Sequence, residues 1–167
     1  MLKLKQLIIL LILPVFLFGA NLATAFPKNI QLEYDVSRNG EQFAKVTESF
    51  TQTGKQYQIK SVTKGLGVYA LMGERVLTSV GTVTKAGLKP SHFELHQGKS
   101  AKRALIADFN WAKNLLTMQV KGETRTEKLE LGTQDLATYV YQFMYNPPTK
   151  EEVKVTLTTG KRLSQYQ

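Results

Sequence analysis

The stretch Ile30-Gln31-Leu32-Glu33-Tyr34-Asp35-Val36 decides the fold class, because its apolar and polar side chains alternate without a break. Successive side chains of a β-strand point to opposite faces of a sheet, so this alternation predicts a strand with one apolar face. Asn39-Gly40 follows, a dipeptide that favours a two-residue hairpin turn because both turn residues need a positive φ. The pattern therefore predicts that an antiparallel hairpin begins here.

The same alternation recurs along most of the chain, and short turns rich in glycine, proline or asparagine separate its runs. It predicts further strands at residues 42–53, 57–61, 75–84, 91–97, 104–110, 116–120, 124–131, 152–158 and 162–167. An antiparallel meander of about nine or ten strands is too long to stay flat. The predicted fold is therefore mainly β, an antiparallel meander that curls into an open or partial barrel.

In one stretch the apolar residues recur with the spacing of an α-helix and no longer alternate. Five apolar residues after Gly132 recur at positions i, i+3, i+4, i+7 and i+8, namely Leu136, Tyr139, Val140, Phe143 and Met144. They predict one amphipathic helix over about residues 134–145, with Thr133 as its N-cap and Asp135 in its first turn. We expect this helix to cover one mouth of the barrel or to fill its concave side.

The first 25 residues have the pattern of a secretory signal peptide. A basic start precedes an apolar run at residues 7–18, and Ala23-Thr24-Ala25 is a cleavage site of the A-x-A type. As a helix the run spans roughly 18 Å, short of the ~30 Å hydrocarbon core of a bilayer. We therefore expect a signal helix at residues 1–25 that is cleaved between Ala25 and Phe26, and not an uncleaved membrane anchor.

Removal of the signal peptide, with Lys3 and Lys5, leaves residues 26–167 as a single β-rich domain and lowers the formal net charge from +9 to +7. The chain has no cysteine, which rules out disulfides, thiolate zinc sites, cysteine nucleophiles and a lipid-modified N-terminal cysteine. The last predicted strand stops at Gln167 without a turn or tail, so we expect the sequence to be truncated there.

The two histidines, His92 and His96, do not form a metal-binding pattern. Alternation with Phe93 and Leu95 places them on a strand, where four residues span roughly 13 Å. One ion binds imidazole nitrogens at about 2 Å, so the two rings cannot reach the same metal. We interpret both as solvent-facing polar side chains.

No enzymatic pattern stands out either. The sequence contains no nucleophile elbow, no dinucleotide fingerprint and no phosphate-binding loop. Paired carboxylates remain possible in principle, but nothing in the spacing favours convergence of Asp35, Glu48, Asp108 and Asp135. We predict a protein without catalytic residues, cofactor or bound metal.

Residues 64–73 interrupt the alternation, since they are apolar without a period and bracketed by glycines. Two interpretations remain open for this segment. It is either a packed connection, namely a buried crossover or one short helical turn, or a mobile apolar lip over a cavity.

Basic residues form two clusters, and two interpretations remain open for them as well. They either protect sheet edges and keep the chain soluble, or they contact anionic headgroups of the cell envelope. Nucleic acid is a poor partner for an exported protein. The clusters consist of Lys99, Lys102 and Arg103, and of Lys121, Arg125 and Lys128.

Three motifs of turn and helix-start residues occur in order along the chain. Thr84-Lys85-Ala86-Gly87-Leu88-Lys89-Pro90, with Phe93 after it, fits T-x-x-G-L-x-P-x-x-F. Ala107-Asp108-Phe109-Asn110-Trp111, followed by Leu116-Thr117, resembles F-D/N-W…L-T. Gly132-Thr133-Gln134-Asp135, with Gln142 further on, resembles G-T-Q-D-x-x-S-x-x-x-Q, although Ala137 and Thr138 occupy the region where a serine is expected.

In that order the motifs resemble an uncharacterised bacterial family, domain of unknown function 3108, from about Leu32 to the end of the chain. The resemblance implies an exported protein, mostly of Gram-negative bacteria, with no established activity or catalytic residues. It also implies members longer than this chain. We interpret the motif residues as structural, because they shape turns or cap a helix. They are Gly87, Pro90, Trp111, Gly132, Thr133, Gln134 and Asp135.

These observations favour a non-enzymatic periplasmic binding module that holds a lipid or another apolar ligand on a curved sheet. A structural or assembly partner of another envelope protein, pairing through sheet edges, is the second hypothesis. A hydrolase acting on envelope polymers is the third. The candidate ligand-binding residues are Leu66, Val68, Tyr69, Leu71, Met72, Tyr139, Phe143 and Met144.

Overall fold

The computed structural model describes residues 26–98, 104–149 and 151–167. The predicted signal peptide at residues 1–25 lies outside the described residues. The basic cluster of Lys99, Lys102 and Arg103 also lies outside them.

Eight strands form one antiparallel meander in which each strand pairs with the next along the chain. Within the described residues the first and last strands do not pair, so the sheet is open, which confirms the predicted fold class. The strands are β1 (Asn29–Arg38), β2 (Glu41–Thr53), β3 (Gln56–Gly65), β4 (Arg75–Thr84), β5 (Gly87–Gln97), β6 (Leu105–Asn110), β7 (Leu115–Val120) and β8 (Glu123–Lys128).

The chain after β8 forms a second, smaller layer, which we call the C-terminal segment. It contains β9 (Gln134–Asp135), α1 (Tyr139–Tyr145), β10 (Val155–Thr158) and β11 (Leu163–Tyr166). Strand β10 is antiparallel to β11 and parallel to β9. Within the described residues, no helix has the length and apolar character needed to cross a membrane.

The helix is shorter than the predicted span of residues 134–145, because Gln134 and Asp135 pair with Leu157 and Thr158 of β10 instead. Thr138, and not Thr133, occupies the N-cap position. The Thr133 hydroxyl donates to the Glu130 carbonyl at 2.7 Å. The prediction of Thr133 as N-cap and of Asp135 in the first helical turn was therefore wrong.

The buried side of the helix also differs from the predicted stripe. Val140 is 55% exposed, whereas Tyr141 is buried. The residues that pack on the core are spaced i, i+4, i+7 and i+8, a second helical register in the same stretch. They are Ala137, Tyr141, Met144 and Tyr145, and from the predicted stripe Leu136 and Met144 also pack against the core.

The core lies between the main sheet and the C-terminal segment, on what we call the inner face of the sheet. One row of cross-strand neighbours is almost fully buried along this face, from Phe50 through Ile59, Ser79, Phe93 and Ala107 to Met118. The ring of Tyr141 stacks on Phe50 at 5.2 Å, and the Thr158 hydroxyl lies 3.4 Å from the Met118 sulfur. The C-terminal segment therefore covers the central part of the inner face.

Candidate functional site

The inner face of the sheet is covered unequally. The C-terminal segment buries the central row, but β1 at the sheet edge keeps two large inner-face residues open to solvent. Leu32 is 45% exposed and Tyr34 is 46% exposed, although they pair with the inner-face residues Glu48 and Val46 of β2. The inner face therefore remains accessible at its β1–β2 end, where the exposed side chains are apolar, whereas the exposed inner-face residues of β8 at the other edge are charged.

A short 3₁₀ helix, Gly67–Met72, borders this open end and is called the lip helix below. It has no buried residue, and the exposed fractions reach 75% for Val68, 90% for Leu71 and 61% for Met72. Leu66 and Tyr69 are exposed as well. The short helical turn of the first interpretation is present, but the segment is not a buried crossover, because its apolar side chains are exposed.

Contacts with the strand ends hold the lip helix in place. A Cβ on Gly65 would collide with the Tyr69 carbonyl oxygen, so glycine at this position lets the two backbones approach closely. The Gln97 amide donates to the Met72 and Gly73 carbonyls, both at 3.2 Å. The rings of Phe43 and Tyr69 lie 5.4 Å apart. The lip helix is thus anchored by its backbone while its side chains stay exposed.

Clefts flank the lip helix. One of about 160 Å³ lies beneath it, between the ends of β2, β3 and β4. A second cleft, of about 430 Å³, separates the lip helix from the β1–β2 turn, and a third, of about 590 Å³, lies on the side of Glu74 and Val76. The small cleft contains one charged group, the half-buried guanidinium of Arg75, which the sequence analysis did not single out.

The predicted ligand residues of the helix lie further along β2 than the lip helix. Met144 packs against the core, and Tyr139 and Phe143 are partly exposed. The neighbouring Tyr141 hydroxyl donates to Glu48 Oε1 at 2.7 Å, and the Tyr145 hydroxyl donates to Gln52 at 3.2 Å. The lip helix contacts the start of β2 at Phe43 instead, so the two predicted groups occupy separate parts of one face.

Two buried polar links tie the C-terminal segment to the sheet. Burial, and next the hydrogen bond to Glu48, raise the pKa of Tyr141. In the core the Ser79 hydroxyl donates to Asp135 Oδ2 at 2.6 Å and lies 3.3 Å from the Tyr57 hydroxyl. Burial raises the pKa of Asp135 to about 6. Because Asp135 is fully buried, its hydrogen bonds hold the C-terminal segment on the sheet and do not form a site that a ligand could reach.

The histidines and acidic residues of β5 and β6 form a chain of contacts on the outer face. His92 Nδ1 lies 2.7 Å from Asp108 Oδ1, and its Nε2 lies 2.9 Å from Glu94 Oε1. The other Glu94 oxygen lies 2.9 Å from His96 Nε2. Burial lowers the pKa of His92, but the bonds to Asp108 and Glu94 outweigh burial and raise it.

The four carboxylates considered as a catalytic set have different partners. Asp108 contacts His92 on the outer face, Glu48 accepts from Tyr141, and Asp135 accepts from Ser79. Asp35 lies on β1 opposite Lys45. Among the described residues these carboxylates do not converge on one point.

The second basic cluster lies at the other edge of the sheet. Lys121 has a positive φ of 53° in the turn before β8. Arg125 and Lys128 are on β8, whose residues are all exposed, and Arg125 pairs with Glu123 at 3.3 Å.

The three motifs of the sequence meet around the turn between β4 and β5. The Gln142 side chain accepts from the Leu88 amide and donates to the Ala86 carbonyl, both at 2.8 Å. The Gln134 amide donates to the Leu88 carbonyl at 3.1 Å. The Trp111 indole donates to the Pro90 carbonyl at 2.6 Å.

Two further motif residues have backbone conformations or contacts that restrict the side chain. Gly87 has φ 99°, and a Cβ there would collide with Gln142. Gly132 has φ 82°, the left-handed region that favours glycine. Thr138, in the region where a serine was expected, accepts at its hydroxyl from the Asp135 amide at 2.9 Å. The motifs therefore define how the C-terminal segment docks on the sheet.

Comparison with known proteins identifies a family but no individual protein that is similar to this chain. No curated protein and no solved structure matches the chain significantly. A family model described as "Protein of unknown function (DUF3108)" matches residues 33–167, which include all three motifs. The chain therefore belongs to this family.

Proposed function

We propose that the protein is an exported, non-enzymatic binding module of the cell envelope that holds an apolar ligand at the open end of the inner face. One observation carries the proposal. The apolar side chains of the lip helix are exposed next to clefts, and Leu32 and Tyr34 of β1 are exposed on the inner face, instead of being packed into the core. Large exposed apolar surfaces of this kind are typical of binding sites.

Export is supported by the signal-peptide pattern of residues 1–25. An envelope location brings the molecule close to membranes, where apolar ligands are abundant. The basic residues on β8 protect the edge of the sheet and also suit an anionic environment of that kind.

Binding of the neutral apolar dye Nile red tests the proposal. Leu71 and Leu131 are both 90% exposed, but only Leu71 belongs to the lip helix. We expect Leu71→Ser to weaken dye binding by about three- to tenfold, because burial of a leucine side chain is worth ~1.5–3 kcal/mol when complete. Leu131→Ser is the matched control and should leave binding unchanged.

Equal effects of the two substitutions would contradict a site at the lip helix. Absence of dye binding to the unmodified protein would contradict the apolar site altogether. Neither substitution should change the free energy of unfolding by more than about 0.5 kcal/mol, because both side chains are exposed.

A second function has one observation in its favour. Strand β1 has ten residues and, within the described part of the chain, pairs on one side only. A long edge strand with exposed Leu32 and Tyr34 suits an envelope partner that adds a strand to the sheet. Co-purification of a second protein without a small-molecule ligand would favour this function over the first.

A further inference from the structure

Arg75 is the charged residue of the cleft beneath the lip helix. In the register of the sheet it pairs with Thr63 of β3 and Gln97 of β5, and it lies on the same face as the buried Leu77 and Ser79. Its side chain therefore points to the inner face, where the rest of the row is apolar or neutral.

The guanidinium has no ionic partner among the described residues. The adjacent Glu74 is on the outer face and pairs with Lys64 at 3.2 Å. Glu48, an acidic residue on the inner face of β2, accepts a hydrogen bond from Tyr141. Burial lowers the pKa of Arg75, and no neighbouring charge opposes this effect.

A half-buried cation without a counter-charge is unfavourable unless water or an anion satisfies its five N–H donors. The planar guanidinium matches carboxylate and phosphate oxygens, with which it forms two parallel hydrogen bonds. Phe43, Tyr69 and Met72 line the same cleft and continue into the exposed side chains of the lip helix. The positive charge of Arg75 therefore lies next to an apolar surface, and an amphiphile needs both, one for its anionic head group and one for its tail.

We propose that this cleft binds the anionic head group of a single-chain amphiphile, a carboxylate or a phosphate monoester, with Arg75 as its counter-charge. The tail then lies over Phe43, Tyr69 and Met72 towards the exposed Leu71. This proposal rests on the proposed function, because it assigns the ligand class of the same open site.

The size of the cleft supports a head group there and not a whole lipid. Pockets that enclose a complete small ligand usually measure about 300–1,000 Å³. The cleft measures about 160 Å³ and opens towards the lip helix. A head group with the first carbons of a chain fits that space, and the remaining chain extends along the apolar surface outside it.

Calorimetric titration with three ligands of equal chain length tests the proposal: dodecanoate, dodecyl phosphate and dodecanol, each below its critical micelle concentration or solubility limit. We expect the unmodified protein to bind at least one of the two anions about tenfold or more tightly than dodecanol, since a hydrogen-bonded charge pair typically contributes that much. Whichever anion binds more tightly identifies the head group.

Arg75→Gln should remove the preference for the anions while leaving dodecanol affinity unchanged, which also reports that the variant is folded. Arg75→Lys should retain part of the preference. Lys64→Gln, which removes a cation from the outer face of the neighbouring strand, is the matched control and should retain all of it.

Equal affinity of the unmodified protein for the anions and dodecanol overturns the Arg75 proposal and leaves the apolar site standing. An anion preference that survives Arg75→Gln overturns it as well. Failure of all three ligands to bind overturns both the proposal and the proposed function, so the two failures are distinguishable.

Discussion

Asp135 joins the C-terminal segment to the main sheet through both of its carboxylate oxygens. Oδ2 accepts from Ser79, and Oδ1 accepts from the amides of Ala137 and Thr138 at 2.8 and 2.9 Å. The Thr138 hydroxyl accepts from the Asp135 amide in return. The buried carboxylate thus fixes the turn between β9 and α1.

The ionisation of Asp135 should make stability depend on pH. Burial raises its pKa from 3.8 to about 6 in the folded state, so the folded protein binds this proton more tightly than the unfolded chain. The resulting stabilisation is complete below about pH 4 and is lost as pH rises through about 6, by roughly 3 kcal/mol. We expect Asp135→Asn to remove this contribution from the pH dependence.

Urea unfolding of the two proteins between pH 4 and pH 7 measures the difference. The unmodified protein should lose stability relative to Asp135→Asn as the pH rises through this range. Parallel pH profiles would show that Asp135 has the same pKa in the folded and unfolded states.

Gln142 should matter for stability through its two hydrogen bonds to the β4–β5 turn. Gln142→Ala leaves the buried amide of Leu88 without its acceptor, and we expect a loss of about 1–3 kcal/mol. Gln119→Ala is the control, because Gln119 is exposed on β7 and its loss should change stability by less than about 0.5 kcal/mol. Chemical denaturation of both variants gives the comparison; equal stability losses would contradict a docking role for Gln142.

At the scale of elements, α1 shows that the local sequence pattern does not by itself predict where a helix begins or which of its faces is buried. Residues 136–145 contain two apolar stripes of helical spacing, one through Val140 and one through Tyr141. Only packing against Phe50 of β2 selects the second stripe. The start of the helix depends likewise on the parallel pairing of Gln134 with Leu157, a contact that short-range periodicity does not encode.

Alanine substitution distinguishes the two stripes. Tyr141→Ala should cost about 3–5 kcal/mol, because it removes a buried aromatic ring that stacks on Phe50. Val140→Ala should change the free energy of unfolding by less than about 0.5 kcal/mol, since Val140 is 55% exposed. A larger loss for Val140→Ala, measured by urea unfolding, would restore the stripe predicted from the sequence.

The lip helix shows a second limit of sequence reasoning. The apolar composition of residues 64–73 identified the segment, but composition alone left burial and exposure both open. The contacts of Gly65 and Gln97 with the lip helix decide between them, because they hold the backbone at the sheet end with its side chains outward. Arg75 was missed for a related reason. Only the register with Thr63 and Gln97 shows that it lies on the inner face.

At the scale of the whole molecule, the meander was the part most open to prediction from sequence. Period-two alternation and turn dipeptides such as Asn39-Gly40 are local signals, and the first eight predicted strands form the observed meander in the predicted order. The last two predicted strands were wrongly placed in it, because they form a separate sheet with β9. Local sequence signals do not predict which part of the inner face is covered. Coverage depends on how the C-terminal segment docks, and this docking leaves Leu32 and Tyr34 open at one end. The proposed binding site follows from this uneven coverage.

Native mass spectrometry of the protein purified from its native host tests the central claim most directly. We predict a non-covalent adduct of one lipid-like amphiphile that is lost on denaturation, on a chain that begins at Phe26. A clean ligand-free mass under native conditions, with no lipid in an organic extract of the same sample, would contradict the binding function.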